Sequence, residues 1–146
     1  MIELVHGAVG AACGTLLRRR TPTLLASVLA HFLIDLVNHE EPIDKPRHLR
    51  RDVVALDGIL LGSLFVFLAV RYGATSPESL GAVAGCLPDL EYLVRRRGAF
   101  SPHASLPHAV WPRRRMSLRG QFVLGGAAWV VLFAYRSLRA PSHVRA

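Results

Sequence analysis

His31, Asp35 and His39 stand four residues apart in an otherwise apolar run, AHFLIDLVNHE. On a helix, positions i, i+4 and i+8 share one face, so the spacing predicts two imidazoles and a carboxylate in a single stripe. The other faces of that helix carry Leu, Ile, Val and Phe. Polar groups in such surroundings need partners, because burying them unpaired is unfavourable. Imidazole nitrogen and carboxylate oxygen are also the donors that hold zinc, and equally manganese or iron. An ion held this way lowers the pKa of a coordinated water towards ~7 and polarises a phosphoryl or carbonyl oxygen. The stripe therefore points either to metal-assisted hydrolysis or to a structural His/Asp cluster.

Further ionisable residues fall in or beside apolar runs: His6, Asp57, Asp89, His103 and His108. Helical bundles build metal sites by presenting one or two such groups from each of several helices. Each residue also has a plainer role open to it. His31 and Asp35 can pair within one helix, His39 can satisfy a helix C-terminus, and Asp57 can cap a helix or pair with Arg50 or Arg51. Asp89 can serve as a first-turn acid, and His103 and His108 as ordinary loop histidines. No separate Ser or Cys nucleophile is evident, and no phosphate-binding loop, dinucleotide turn or nucleophile elbow occurs.

The elements that must carry these residues are apolar and helical. Residues 1–17, 23–39, 53–72, 78–94 and 116–138 form the apolar segments, separated by Arg-rich or Pro-rich connections. Gly10 and Gly14, Gly58 and Gly62, and Gly81 and Gly85 each repeat the four-residue small spacing that lets helices approach closely. Pro88 must break or restart the fourth segment, because it lacks an N–H. The pattern predicts an all-α fold: a small bundle with about three to five membrane-embedded helices, one domain over residues 1–138 and a disordered tail over 139–146. A compact soluble helical domain is the alternative, since short apolar runs also mark buried core helices.

Composition supports the membrane reading. The chain is 51% hydrophobic, 19% charged and carries a formal net charge of +8, with a mean hydropathy of +0.32. Its arginines sit in blocks between apolar runs, where they match anionic lipid headgroups. No helix-turn-helix, zinc-finger or aromatic-stacking pattern accompanies them, which argues against nucleic acid as the partner. Trp111, next to Pro112 and Arg113, fits an interfacial anchor. The loop charges lean towards a cytoplasmic N-terminus. Cys13 and Cys86 form no CxxC motif and read as free buried thiols.

Four motifs together resemble a known group. His6-Gly-Ala-Val-Gly, the His-x-x-x-Asp helix AHFLIDLVNH, GCLPDLEY around Asp89, and the two-histidine loop HASLPH are similar to those of small membrane-bound metal-dependent hydrolase-like proteins. These are the LexA-regulated inner-membrane putative hydrolases and their relatives, distantly similar to zinc-dependent phospholipase C. The resemblance implies a bacterial inner-membrane location, zinc as cofactor and a phosphoester-type substrate. It implies metal ligation by His6, His31, Asp35, Asp89, His103 and His108, with Asp35 and Asp89 at the reacting centre. His39 and Asp57 join the candidate ligands on position alone. The match departs from the group's usual pattern: Glu91 and Tyr92 follow where an acid and a histidine are usual, and the loop lacks its usual Arg, Gly, Thr and Ser.

Overall fold

The computed structural model describes residues 2–40, 43–44, 48–90 and 111–138. It is built from helices, as the apolar segments predict. They are α1 (Glu3–Leu17), α2 (Arg20–Asp35), α3 (Arg51–Tyr72), α4 (Pro77–Cys86) and α5 (Leu118–Leu138). Two short strand pairs are added. β1 (Val37–His39) lies parallel to β4 (Trp111–Met116), and β2 (Ile43–Asp44) lies antiparallel to β3 (His48–Leu49).

α1 is the central rod, and every other helix packs on it. Its small residues explain this position, since Gly7, Ala8, Gly10, Ala11 and Gly14 are all buried. α4 crosses it backbone to backbone. A Cβ added to Gly10 would collide with the Gly81 carbonyl, one on Gly81 with the Gly10 carbonyl, and one on Gly85 with the His6 carbonyl. Two of the three glycine pairs in the sequence thus meet each other across one seam. The third does not take part, because Gly58 and Gly62 on α3 face open space.

α2 is built inside out. Thr23, Ser27, His31 and Asp35, each four residues after the last, are buried, whereas Leu25, Leu29 and Leu33 are 71%, 60% and 57% exposed. The Ser27 hydroxyl donates to the Gly10 carbonyl at 3.2 Å, which holds the polar stripe against α1. The helix stops at Asp35, four residues short of the predicted segment. The next residues pair with β4 instead, and Glu40 N–H donates to the Met116 carbonyl at 2.9 Å. His39 therefore leaves the helical stripe. Tertiary pairing ends the helix where local periodicity alone would carry it on.

α4 opens with Ser76, whose hydroxyl accepts from Ser79 N–H at 3.2 Å, and with Pro77 in its first turn. At Pro88 the chain tightens into a 3₁₀ turn, Leu87–Leu90, which carries Asp89. The apolar core joins Leu4, Val5 and Ala8 of α1 to Leu64 and Leu68 of α3 and to Leu118 and Leu132 of α5. α3 is the one described helix long and apolar enough, by length and composition, to cross a membrane.

Candidate metal centre

Four of the residues singled out above meet where α1 begins and α2 and α4 end. His6 comes from the second turn of α1, His31 and Asp35 from the last turns of α2, and Asp89 from the 3₁₀ turn. His6 Nε2 lies 3.3 Å from Asp35 Oδ1 and 3.9 Å from Asp89 Oδ2. His31 Nε2 lies 3.2 Å from Asp35 Oδ2 and 3.8 Å from Asp89 Oδ1. The two imidazoles stack with ring centres 4.0 Å apart. His6 and His31 are each 1% exposed.

The direction of the nitrogens matters most. His31 Nδ1 lies 2.8 Å from the Gly85 carbonyl, which can only accept, so Nδ1 carries the proton. In the neutral ring Nε2 then presents a lone pair, and it faces two carboxylates. Metal-binding histidines are fixed in this way, with the far nitrogen donating to a carbonyl. His6 is buried, and neither of its ring nitrogens makes a hydrogen bond of sound geometry among the described residues. Ring nitrogens and carboxylate oxygens that converge in a buried site can be held together by shared protons or by a cation.

The spacing fits a small one. Zinc–nitrogen and zinc–oxygen bonds of ~2.0–2.2 Å in a tetrahedron separate neighbouring ligand atoms by about 3.3–3.6 Å. The contacts of Asp35 match that edge, and those of Asp89 are slightly longer. One donor atom from each of His6, His31 and Asp89 can be chosen so that all lie within 4.8 Å of one another.

The other expected ligands stand elsewhere. Asp57 is buried but spends both oxygens on the start of α1, with Oδ2 accepting from Glu3 N–H and Oδ1 from Leu4 N–H, both at 2.9 Å. It is a cap supplied by a neighbouring helix rather than a member of the cluster. His39 lies in β1, its Nδ1 2.6 Å from the Val37 carbonyl. His103 and His108 lie outside the described residues.

Glu3 opens α1 beside this cluster, and its backbone carbonyl accepts from Cys86 Sγ at 3.6 Å. Gln121 supports the same end of α1. Its Oε1 accepts from Ile2 N–H at 2.9 Å, and its Nε2 donates to the Glu40 carbonyl at 2.8 Å.

Comparison of the chain with protein-family models, characterised proteins and solved structures gave no match.

Proposed function

We propose that this chain is a membrane-embedded, metal-dependent hydrolase-like protein whose centre is His6, His31, Asp35 and Asp89. The observation that carries the reading is the orientation of His31, with Nδ1 2.8 Å from the Gly85 carbonyl and Nε2 turned to two carboxylates. Zinc, when bound, supplies a Lewis acid for a phosphoryl or carbonyl oxygen and brings the pKa of a water close to 7. The chain's own contribution is positional. Asp35 touches both imidazoles, while Asp89 approaches the same two nitrogens, at 3.8 and 3.9 Å, from a turn rather than a helix. A phosphoester is the substrate class the resemblance favours.

The membrane part of the proposal rests on the inverted packing. Polar residues line the inside of α2, while leucine, isoleucine and valine cover the outside of α2, α3 and α5. In water such an exterior would expose an apolar area well beyond that of a typical monomer. In lipid it is the expected surface, and buried polar groups facing the bundle interior are the expected core. Arg18, Arg19 and Arg20 are exposed at one end, where anionic headgroups would meet them.

A second reading has one observation in its favour. The 3.2 and 3.3 Å contacts of Asp35 would also suit protonated imidazoles, which makes the cluster a structural ion pair in a non-catalytic membrane protein. Metal content separates the two. Detergent-purified protein, offered Zn²⁺ and dialysed, should hold stoichiometric zinc that His31→Ala loses, and a phosphodiester such as bis-p-nitrophenyl phosphate should be hydrolysed by the loaded wild type only. A folded wild type without stoichiometric metal would leave the structural reading.

A further inference from the structure

We propose that the groove on the outer face of α3 between Gly62 and Arg71 seats one acyl chain of an anionic phospholipid, with the headgroup phosphate on the Arg71 guanidinium. This rests on the membrane reading above and gives that surface a defined lipid site.

The groove follows from the sequence of α3. The stripe of this helix buried against the bundle is narrow: Val53, Asp57, Leu64 and Leu68. On the outer side Gly62 has no side chain and Ser63 a short one. A hollow of about 710 Å³ opens there, lined by Gly62, Ser63, Val66, Phe67, Val70 and Arg71. Its inside is apolar. Val66 and Val70 are 65% and 83% exposed, and the Ser63 hydroxyl donates back to the Ile59 carbonyl at 2.8 Å. Phe67 forms a firm wall, packed edge-on against Tyr72 at 6.2 Å and against Trp129 of α5 at 5.7 Å. The same Tyr72 ring carries the Arg71 guanidinium, whose carbon lies 5.6 Å from the ring centre. A cation over an aromatic face is positioned without being neutralised. Among the described residues the arginine ion pair is that of Arg50 with Asp52, so Arg71 keeps its charge for a ligand.

Length and charge identify the occupant. From Gly62 to Arg71 the helix rises about 14 Å, close to half of a hydrocarbon core ~30 Å thick. An apolar groove one leaflet long that ends at a cation has the outline of an acyl chain and its phosphate. The surroundings of Arg71 have the matching sign. The Arg20 guanidinium donates to Thr75 Oγ1 at 3.4 Å, and a Cβ on Gly14 would collide with Pro77, so the end of α1, the start of α2 and the α3–α4 turn share this end of the bundle. Residues 14–24 and 69–80 hold four arginines, Arg18, Arg19, Arg20 and Arg71, and one carboxylate, Glu78. All four arginines are exposed, whereas Glu78 is 1% exposed. An anionic headgroup therefore meets positive charge here. A second copy of the chain fits less well, because pairing in parallel through this groove sets each Arg71 against its counterpart. The groove lies at the far end of α3 from Asp57, which holds the start of α1. Its lipid is a resident ligand and not the substrate of the His6 centre.

The test is lipid retention in native mass spectra of the detergent-purified full chain, titrated with dioleoyl phosphatidylglycerol or dioleoyl phosphatidylcholine. The wild type should retain one phosphatidylglycerol, bound about fivefold or more tightly than phosphatidylcholine. Arg71→Gln should bind the two lipids alike. Arg119→Gln, at an exposed arginine in the first turn of α5, should keep the wild-type preference. Gly62→Leu fills the groove and should lose the retained lipid; a Cβ there meets nothing, so the fold accommodates it. Equal loss of preference in Arg71→Gln and Arg119→Gln would reduce the effect to diffuse surface charge and overturn the site. So would a wild type that binds both lipids equally, or a dimer that Gly62→Leu dissociates. A chain recovered in the aqueous fraction without detergent would overturn the membrane reading itself.

Discussion

The junction of α1, α2 and α4 and the junction of α1 and α3 each bury an aspartate from an apolar helix, and they use it in opposite ways. At the first, Asp35 faces the nitrogen atoms of two imidazoles. At the second, Asp57 faces two backbone N–H groups at the start of α1. A helix N-terminus supplies donors and a favourable dipole, so the buried charge of Asp57 is satisfied by the fold alone. The surroundings of Asp35 are the ring nitrogens of two histidines, with a second carboxylate close to both. The same residue type in similar burial therefore completes a helix in one place and joins a cluster of convergent ring nitrogens and carboxylate oxygens in the other. The packing follows the same division. Around Asp35 the glycines of α1 and α4 touch backbone to backbone, while on α3 Gly58 and Gly62 touch nothing.

Exchanging the roles is the strongest way to break this comparison. Asp35→Ala should weaken zinc binding by more than ~100-fold in a chelator competition, because even outer-shell partners are worth ~10–100-fold. Asp57→Ala should keep its metal. Equal loss in both variants would mean that the two junctions form one site. The converse effect lies in stability: Asp57→Ala leaves two buried N–H groups without acceptors and should lower it by about 2–3 kcal/mol, read from melting in detergent. Asp57→Asn, which retains an acceptor, should lose less.

The glycines sharpen the contrast at smaller amplitude. Gly85→Ala drives a methyl into the His6 carbonyl and should destabilise the protein by about 1–3 kcal/mol, with altered metal affinity because His31 rests on the same residue. Gly58→Ala meets nothing and should stabilise it by up to ~1 kcal/mol through helix propensity. A destabilising Gly58→Ala would show that this face is covered by something in the folded protein. The smallest effect belongs to Ser27→Ala, which removes one hydrogen bond to Gly10, about 0.5–1.5 kcal/mol, and should leave metal binding unchanged.

Much of this arrangement could be read from residue types and spacing. The helices follow from the apolar runs, the α1–α4 seam from Gly10, Gly14, Gly81 and Gly85, and the break at Pro88 from its missing N–H. His6, His31, Asp35 and Asp89 stood out as costly polar residues in apolar segments, and the fold brings them together. What could not be read depended on distant partners. The end of α2 is set by pairing with β4, which lies far along the chain, so His39 looked like the third member of a stripe that in fact runs through Thr23, Ser27, His31 and Asp35. A buried carboxylate that caps a neighbouring helix and one that faces two imidazoles place the same demand on local sequence, so Asp57 could not be told apart from Asp35.

The contact between His31 and Gly85 has a consequence for chain length. Gly85 lies one residue before the end of α4 and three before Pro88. If α4 ran on by one regular turn, the Asp89 N–H would reach the Gly85 carbonyl, whose two lone pairs would then be divided between the helix and His31. Asp89 would also swing around the axis with its backbone, away from the turn that now carries it towards the rings. Where one helix stops thus sets how a carboxylate meets two rings carried by other helices, and Pro88 fixes that point by ending the helix on time.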